Sequence, residues 1–253
     1  MKTKLLFICI FFICTLTIYA QESPSNYVVK RDNAQISVGY FRVNRHQIDG
    51  STTVHLNKDF DYITPGSGFR FAPGEPSSFS FINYIFADNN RNCDFFMSLF
   101  RNHTKGDFLF SDFSDVHFGK GNSQIGLGLG LDLGFPIKTF SLSGSLLWGF
   151  GPQFTKLTSG NRHVSPEKWG VRGLGSVLVS GVNLNSPTFW NIFSVTLSVK
   201  STLHYAGFFD FEVMDDDGVM REFSDVDFVS YGISPMLQLN FELGKHKKAS
   251  ADL

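Results

Sequence analysis

Cysteine is scarce in this chain: Cys9 and Cys14 sit within the first twenty residues, and only Cys93 follows. A lone thiol cannot build a disulfide framework, so crosslinks are not what holds the fold together. Long hydrophobic runs are missing as well. After residue 20 no apolar stretch reaches the ~18 residues that would mark a membrane helix. Charge is sparse at 18%, and 22 Lys and Arg against 23 Asp and Glu give a formal net charge of −1, which removes nucleic acid from the expected partners. The basic cluster Lys245, Lys247 and Lys248 reads as a solvated tail. What the chain has instead is 29 Phe and 24 Gly, with a mean hydropathy of −0.02. Alternating strands closed into a barrel reconcile these facts, because they disperse apolar surface along the sequence while satisfying the backbone.

Residues 1–20 are read apart from the fold. Lys2 and Lys4 precede an uncharged apolar core from Leu5 to Tyr19, and Ala20 precedes the polar pair Gln21-Glu22, the pattern of a secretory signal cleaved after Ala20. Lipoprotein processing does not fit, since Phe12 and Ile13 precede Cys14 where a small residue would be needed. Residues 21–32 read as a leader, 33–244 as the barrel domain and 245–253 as a periplasmic tail.

The stretch that organises the rest is Gln124 to Phe135, Q-I-G-L-G-L-G-L-D-L-G-F. Ile125, Leu127, Leu129, Leu131, Leu133 and Phe135 share one face of a strand, and Gln124, three glycines, Asp132 and Gly134 share the other. A helix would scatter the leucines around its circumference, and each glycine would cost it roughly 1 kcal/mol relative to alanine. The same alternation marks Phe140 to Gly151, Trp190 to Tyr205 and Val229 to Leu243, while Trp169 to Asn183 is rich in small residues throughout. Asn33 to His46 and Ser77 to Ala87 are weaker candidates, and Ser51 to Leu56 with Phe60 to Thr64 reads as a return strand turning at Asp49-Gly50. Asp88 to Gly121 reads as an ordered excursion, a short helix or an extra hairpin, folded over the barrel mouth.

Loop lengths fix an orientation. Short turns near 136–138 and 184–189 alternate with long loops near 152–168 and 207–225, and bacterial barrels have short periplasmic turns and long extracellular loops. The expected fold is all-β, an antiparallel up-and-down transmembrane β-barrel of eight strands, or ten if 88–121 splits into a hairpin. Aromatics gather at both strand ends: Phe135, Phe140, Phe189, Trp190 and Phe241 toward the turns, and Trp148, Phe150, Trp169, Tyr205 and Phe208 toward the loops. Two such belts suit the two membrane interfaces.

From Asn122 to Gly244 the pattern resembles small outer-membrane β-barrel proteins of Gram-negative-type bacteria, and the strand Leu237 to Leu243 is similar to the terminal strand read by the barrel-assembly machinery. It departs from the common form because Gly244 to Leu253 follows that strand, which makes the assembly signal internal or degenerate. The resemblance implies a porin-like or structural barrel in the cell outer membrane, with outer-membrane lipids and the assembly machinery as partners. It carries over no functional residue.

Asp132, Arg172, Lys200, His204 and Glu242 fall on the face expected to line the lumen. In a narrow eight-stranded barrel such charges pair and plug the interior; in a wider one they would line a solute path. Neither a cofactor nor a metal is expected, since the seven histidines lack ligand spacing and Asp215-Asp216-Asp217-Gly218 fails the EF-hand pattern and reads as a hairpin tip. The leading expectation is a non-enzymatic barrel that is structural, adhesive or passes small solutes. Two alternatives stand beside it: an exported soluble lipocalin-like barrel with the leucine face inside, and an outer-membrane lipid-modifying enzyme using His204 with a serine and an acid.

Overall fold

The computed structural model describes residues 34–43, 46–55, 61–63, 68–71, 77–86, 93–104, 106–109, 118–137, 140–158, 168–190, 192–214 and 220–243. The segments read as signal, leader and tail lie outside these residues. Among the described residues thirteen strands occur in the order β1 (Gln35–Val43), β2 (His46–His55), β3 (Asp61–Ile63), β4 (Gly68–Phe71), β5 (Ser77–Ile85), β6 (Cys93–Thr104), β7 (Gly106–Leu109), β8 (Phe118–Ile137), β9 (Phe140–Thr158), β10 (Lys168–Asn185), β11 (Phe193–Phe208), β12 (Phe211–Met214) and β13 (Met220–Glu242).

Eight of them form the wall. β1, β5, β6, β8, β9, β10, β11 and β13 pair in that order, all antiparallel, and β13 returns to β1 with Gln35 opposite Glu242 and Tyr40 opposite Leu237. The sheet is closed and leaves no edge for lipid to meet. The connections at 86–92, 138–139 and 186–192 are short and lie at the end where β1 begins and β13 finishes. Those at 44–76, 105–117, 159–167 and 209–219 lie at the other, which is therefore the extracellular end.

The count of eight agrees with the alternation pattern, but its membership differs. Residues 51–64 are not a wall strand. β2 runs through Asp49-Gly50 without turning there and continues the line of β1 along the upper part of β13, with His46 opposite Tyr231 and His55 opposite Glu222. β3 folds back onto β2. The strand that returns through the membrane is β5, so Ser77–Ile85 runs toward the turns. The eighth member comes from the supposed excursion: β6 pairs β5 and β8 over nearly its whole length. Single-face alternation fails in β6 because Phe96 and Phe100 point inward while Phe95, Met97 and Leu99 point outward.

The wall strands also outlast the membrane. β9 has 19 residues and β13 has 23, where a crossing needs about 9–11, so the sheet rises past the lipid on the extracellular side. There β2 and β3 extend it, β12 pairs β13 from Phe211 opposite Phe223 to Met214 opposite Met220, and β4 pairs β7. The hairpin expected around Asp217-Gly218 is thus present in its strands, while the tip lies outside the described residues.

Leu127 and Leu129 are each 65% exposed on the outer surface, with Ile233 and Trp148 similarly placed. The leucine face therefore meets lipid, which is the opposite of the lipocalin arrangement. Phe140, Phe189, Trp190 and Phe241 are exposed at the turn end, and Phe150 and Tyr205 toward the loop end. Phe208 departs from the expected belt: it is buried, 6.3 Å from the Phe228 ring inside the barrel.

Candidate functional site in the barrel lumen

The lumen has two kinds of lining. From β1, β5 and β6 come phenylalanines: Phe79 is stacked on Phe100 with centroids 5.5 Å apart, and Phe41 lies 5.3 Å from Phe79. Glycines opposite make room for the rings. Gly39 faces Phe81, Gly126 faces Phe100 and Gly130 faces Phe96, each directly across a strand pair. A Cβ placed at Gly126 would stand 2.5 Å from the end of the Phe100 ring, and those at Gly39 and Gly130 would meet Phe81 and Phe96 closer still. The alternating glycines of Gln124–Phe135 are thus sockets for aromatic rings as well as a means of closing a small barrel.

From β8 to β11 and β13 come polar groups. Lys200 is buried and donates from Nζ to Ser145 Oγ at 2.5 Å and Asn183 Oδ1 at 2.7 Å. Asn183 Nδ2 donates to Ser143 Oγ at 3.2 Å and Asp132 Oδ2 at 3.4 Å. Toward the turn end, Thr196 Oγ1 donates to Asn185 Oδ1 at 2.6 Å, Asn240 Nδ2 to Thr196 Oγ1 at 2.9 Å, and Gln35 Nε2 to Glu242 Oε1 at 2.6 Å. Toward the loops, Asn122 donates to Gln153, and Gln124 Nε2 donates to Gly175 O at 2.7 Å. These bonds tie neighbouring and next-neighbour wall strands together along the inner face.

Between the two linings lies a cavity of about 40 Å³, bordered by Phe79, Phe96 and Asn83 on one side and Asp132, Asn183 and Lys200 on the other. Asn83 Oδ1 and Ser98 Oγ are buried there or nearby with no hydrogen-bond partner among the described residues. Forty cubic ångströms accommodates a few waters for such groups but is far below the ~300–1,000 Å³ of small-molecule sites.

The five expected lumen residues divide four to one. Asp132, Lys200, His204 and Glu242 all point inward, the His204 ring standing edge-on to Phe228 with ring centroids 5.5 Å apart. Arg172 does not. It is exposed on the outer surface, paired in register with outward-facing Phe154, because inward positions of β10 have odd numbers, from Gly173 to Asn185. The small residues on both faces of this strand hid that phase. Conversely, Phe41, Phe79, Phe81, Phe96 and Phe100 were not anticipated as lumen residues, since β5 and β6 carry large apolar groups on both faces. Cys93 begins β6 opposite Leu133, and no group of three His, Cys, Asp or Glu among the described residues is arranged to hold a metal.

A closed antiparallel barrel, greasy outside and filled inside, is an integral outer-membrane β-barrel protein. Among solved structures the chain is similar to Neisserial surface protein A (NspA), with 9% identity, a TM-score of 0.38, and coverage of 81% of this chain and 95% of that one. It is also similar to the outer membrane protease OmpT from Escherichia coli (10% identity, TM-score 0.40, 87% and 100% covered). A third is Ail, the attachment invasion locus protein of Yersinia pestis (15% identity, TM-score 0.31, 82% and 98% covered). No protein-family model matches the sequence, and no curated protein does.

Proposed function

We propose that this is a non-enzymatic outer-membrane barrel with a closed lumen, a structural or adhesive surface protein that works through its extracellular β-extension. The observation that carries this reading is the filling of the lumen. Phenylalanine rings seated on glycines meet a hydrogen-bonded layer around Lys200 and Asn183, and the cavity left between them, about 40 Å³, has no room for a solute. The rise of β8, β9, β10 and β13 past the membrane, with β2, β3 and β12 added to the sheet, supplies a rigid platform for recognition outside the cell. The enzyme alternative draws no support from His204, whose ring is fully buried inside the barrel and does not face lipid.

Reconstitution into planar bilayers tests the reading. The expected result is no discrete conductance steps and no swelling of sugar-loaded liposomes beyond protein-free controls. Reproducible single-channel steps would overturn the closed lumen and restore solute passage.

A further inference from the structure

Two arginines and a histidine lie close together on the outer surface, on β1 and β6 either side of β5, just loop-ward of the apolar band. Arg42 pairs in register with Ser78, which pairs with His103; one step toward the turns, Tyr40 pairs with Ser80, which pairs with Arg101. Adjacent strands are about 4.8 Å apart, so the β1 and β6 side chains flank the two serines across a gap of about 10 Å. The serines are small and half-buried, whereas Arg42 and Arg101 are exposed. The result is a shallow groove with hydroxyls at its floor and guanidinium groups on both rims. Below it toward the membrane midplane stand Val38, Ile82 and Leu99, all exposed to lipid.

Neither guanidinium is paired with a carboxylate among the described residues. His103 is held by Ser123, with Nδ1 to Oγ at 2.9 Å, and so keeps its place beside the groove. Two arginines bordering a hydrocarbon surface, with no carboxylate partner among the described residues, are costly unless an anion neutralises them, and arginine suits phosphate oxygens by geometry as well as charge. The groove's own layout describes that anion. Its charge sits at the height of the arginines, and its tails lie over Val38, Ile82 and Leu99.

We infer that the Arg42–Ser78–Ser80–Arg101 groove binds the phosphate of an anionic lipid in the extracellular leaflet, its acyl chains packed on the apolar wall beneath. The lipid seals the β1–β5–β6 sector, where the wall strands are shortest (9, 9 and 12 residues), to the membrane.

The test uses the exported full chain folded into phosphatidylcholine vesicles with and without added phosphatidic acid, reading the temperature at which the fast-migrating folded band is lost on a gel. Phosphatidic acid should raise that temperature for the unaltered protein. The pair Arg42→Gln/Arg101→Gln should fold in phosphatidylcholine yet need roughly tenfold or more phosphatidic acid for the same rise. Arg172→Gln, on the far side of the barrel, should respond like the unaltered protein. A full rise in the double variant, an equal loss in Arg172→Gln, or the same rise from inorganic phosphate alone would overturn the proposal. If the double variant fails to fold, Ser80→Trp fills the groove without touching charge, and persistence of the full rise in that variant would be equally decisive against it. Because the readout is the folded band, these outcomes do not depend on whether the lumen conducts.

Discussion

Gly130 and Phe96 face each other directly across the β6–β8 pair, and the end of the phenylalanine ring occupies the space where a Cβ of residue 130 would be. Glycine and ring form one unit. Substituting Gly130→Ala pushes Phe96 off its seat and also crowds the Leu146 carbonyl, 2.7 Å from the added carbon. The expected loss is about 1–3 kcal/mol, typical of overpacking, seen as a lower urea midpoint for unfolding from detergent micelles. Gly134→Ala is the control: nothing lies within 4 Å of its added Cβ, so its midpoint should barely move.

The stacked pair Phe79 and Phe100 sits at the centre of the aromatic lining, each ring essentially fully buried. Phe100→Ala leaves a hole between Gly126, Gly149 and Phe79 that the strand backbones cannot close. A loss of about 3–5 kcal/mol is expected from the same urea titration. Stability within about 0.5 kcal/mol of the unaltered protein would mean the rings contribute nothing to the fill.

Lys200 offers a separate probe of the polar lining. Lys200→Met keeps all but the last atom's length of the side chain and removes the donor to Asn183 Oδ1 and Ser145 Oγ. Stranding buried acceptors costs about 1–3 kcal/mol. Adding Asn183→Leu should return part of that loss in a double-mutant cycle, since the stranded acceptor disappears; strict additivity would show that the two residues act independently.

Lipid exposure of the leucine face is testable at Leu129, in the middle of the β8 band. Leu129→Arg should destabilise the barrel in bilayers by about 2–4 kcal/mol, as for charge at the membrane midplane, whereas Ser123→Arg, near the loop end of the same face, should cost about 0–1. Equal costs at the two positions would contradict the depth assigned to them.

The second half of the chain was legible from residue order alone because each of its strands keeps large apolar groups on one face. Leu127 and Leu129, Val195 to Val199, and Ile233 to Phe241 fix both the strand and which of its faces is apolar, and loop lengths add the orientation. Residues 35–104 resisted the same logic for a physical reason. Their inward face is also apolar, so Phe79 and Phe81 alternate with Ile82 and Tyr84 into a nearly continuous run, and period 2 vanishes from the pattern. Arg172 was assigned to the wrong face because Gly173, Gly175 and Ser176 flank it with side chains too small to declare a phase.

Sequence by itself determined that the chain is an alternating-strand barrel with one greasy and one small or polar face on each strand, since hydrophobic period and turn spacing are local properties; that the leucines face outward came from the fold. Only the tertiary structure decided which strands close the wall, that β2 climbs beside β13, and that the glycines opposite β6 seat phenylalanine rings. Those outcomes depend on register between segments far apart in the chain, and one residue of slip exchanges the two faces of a strand.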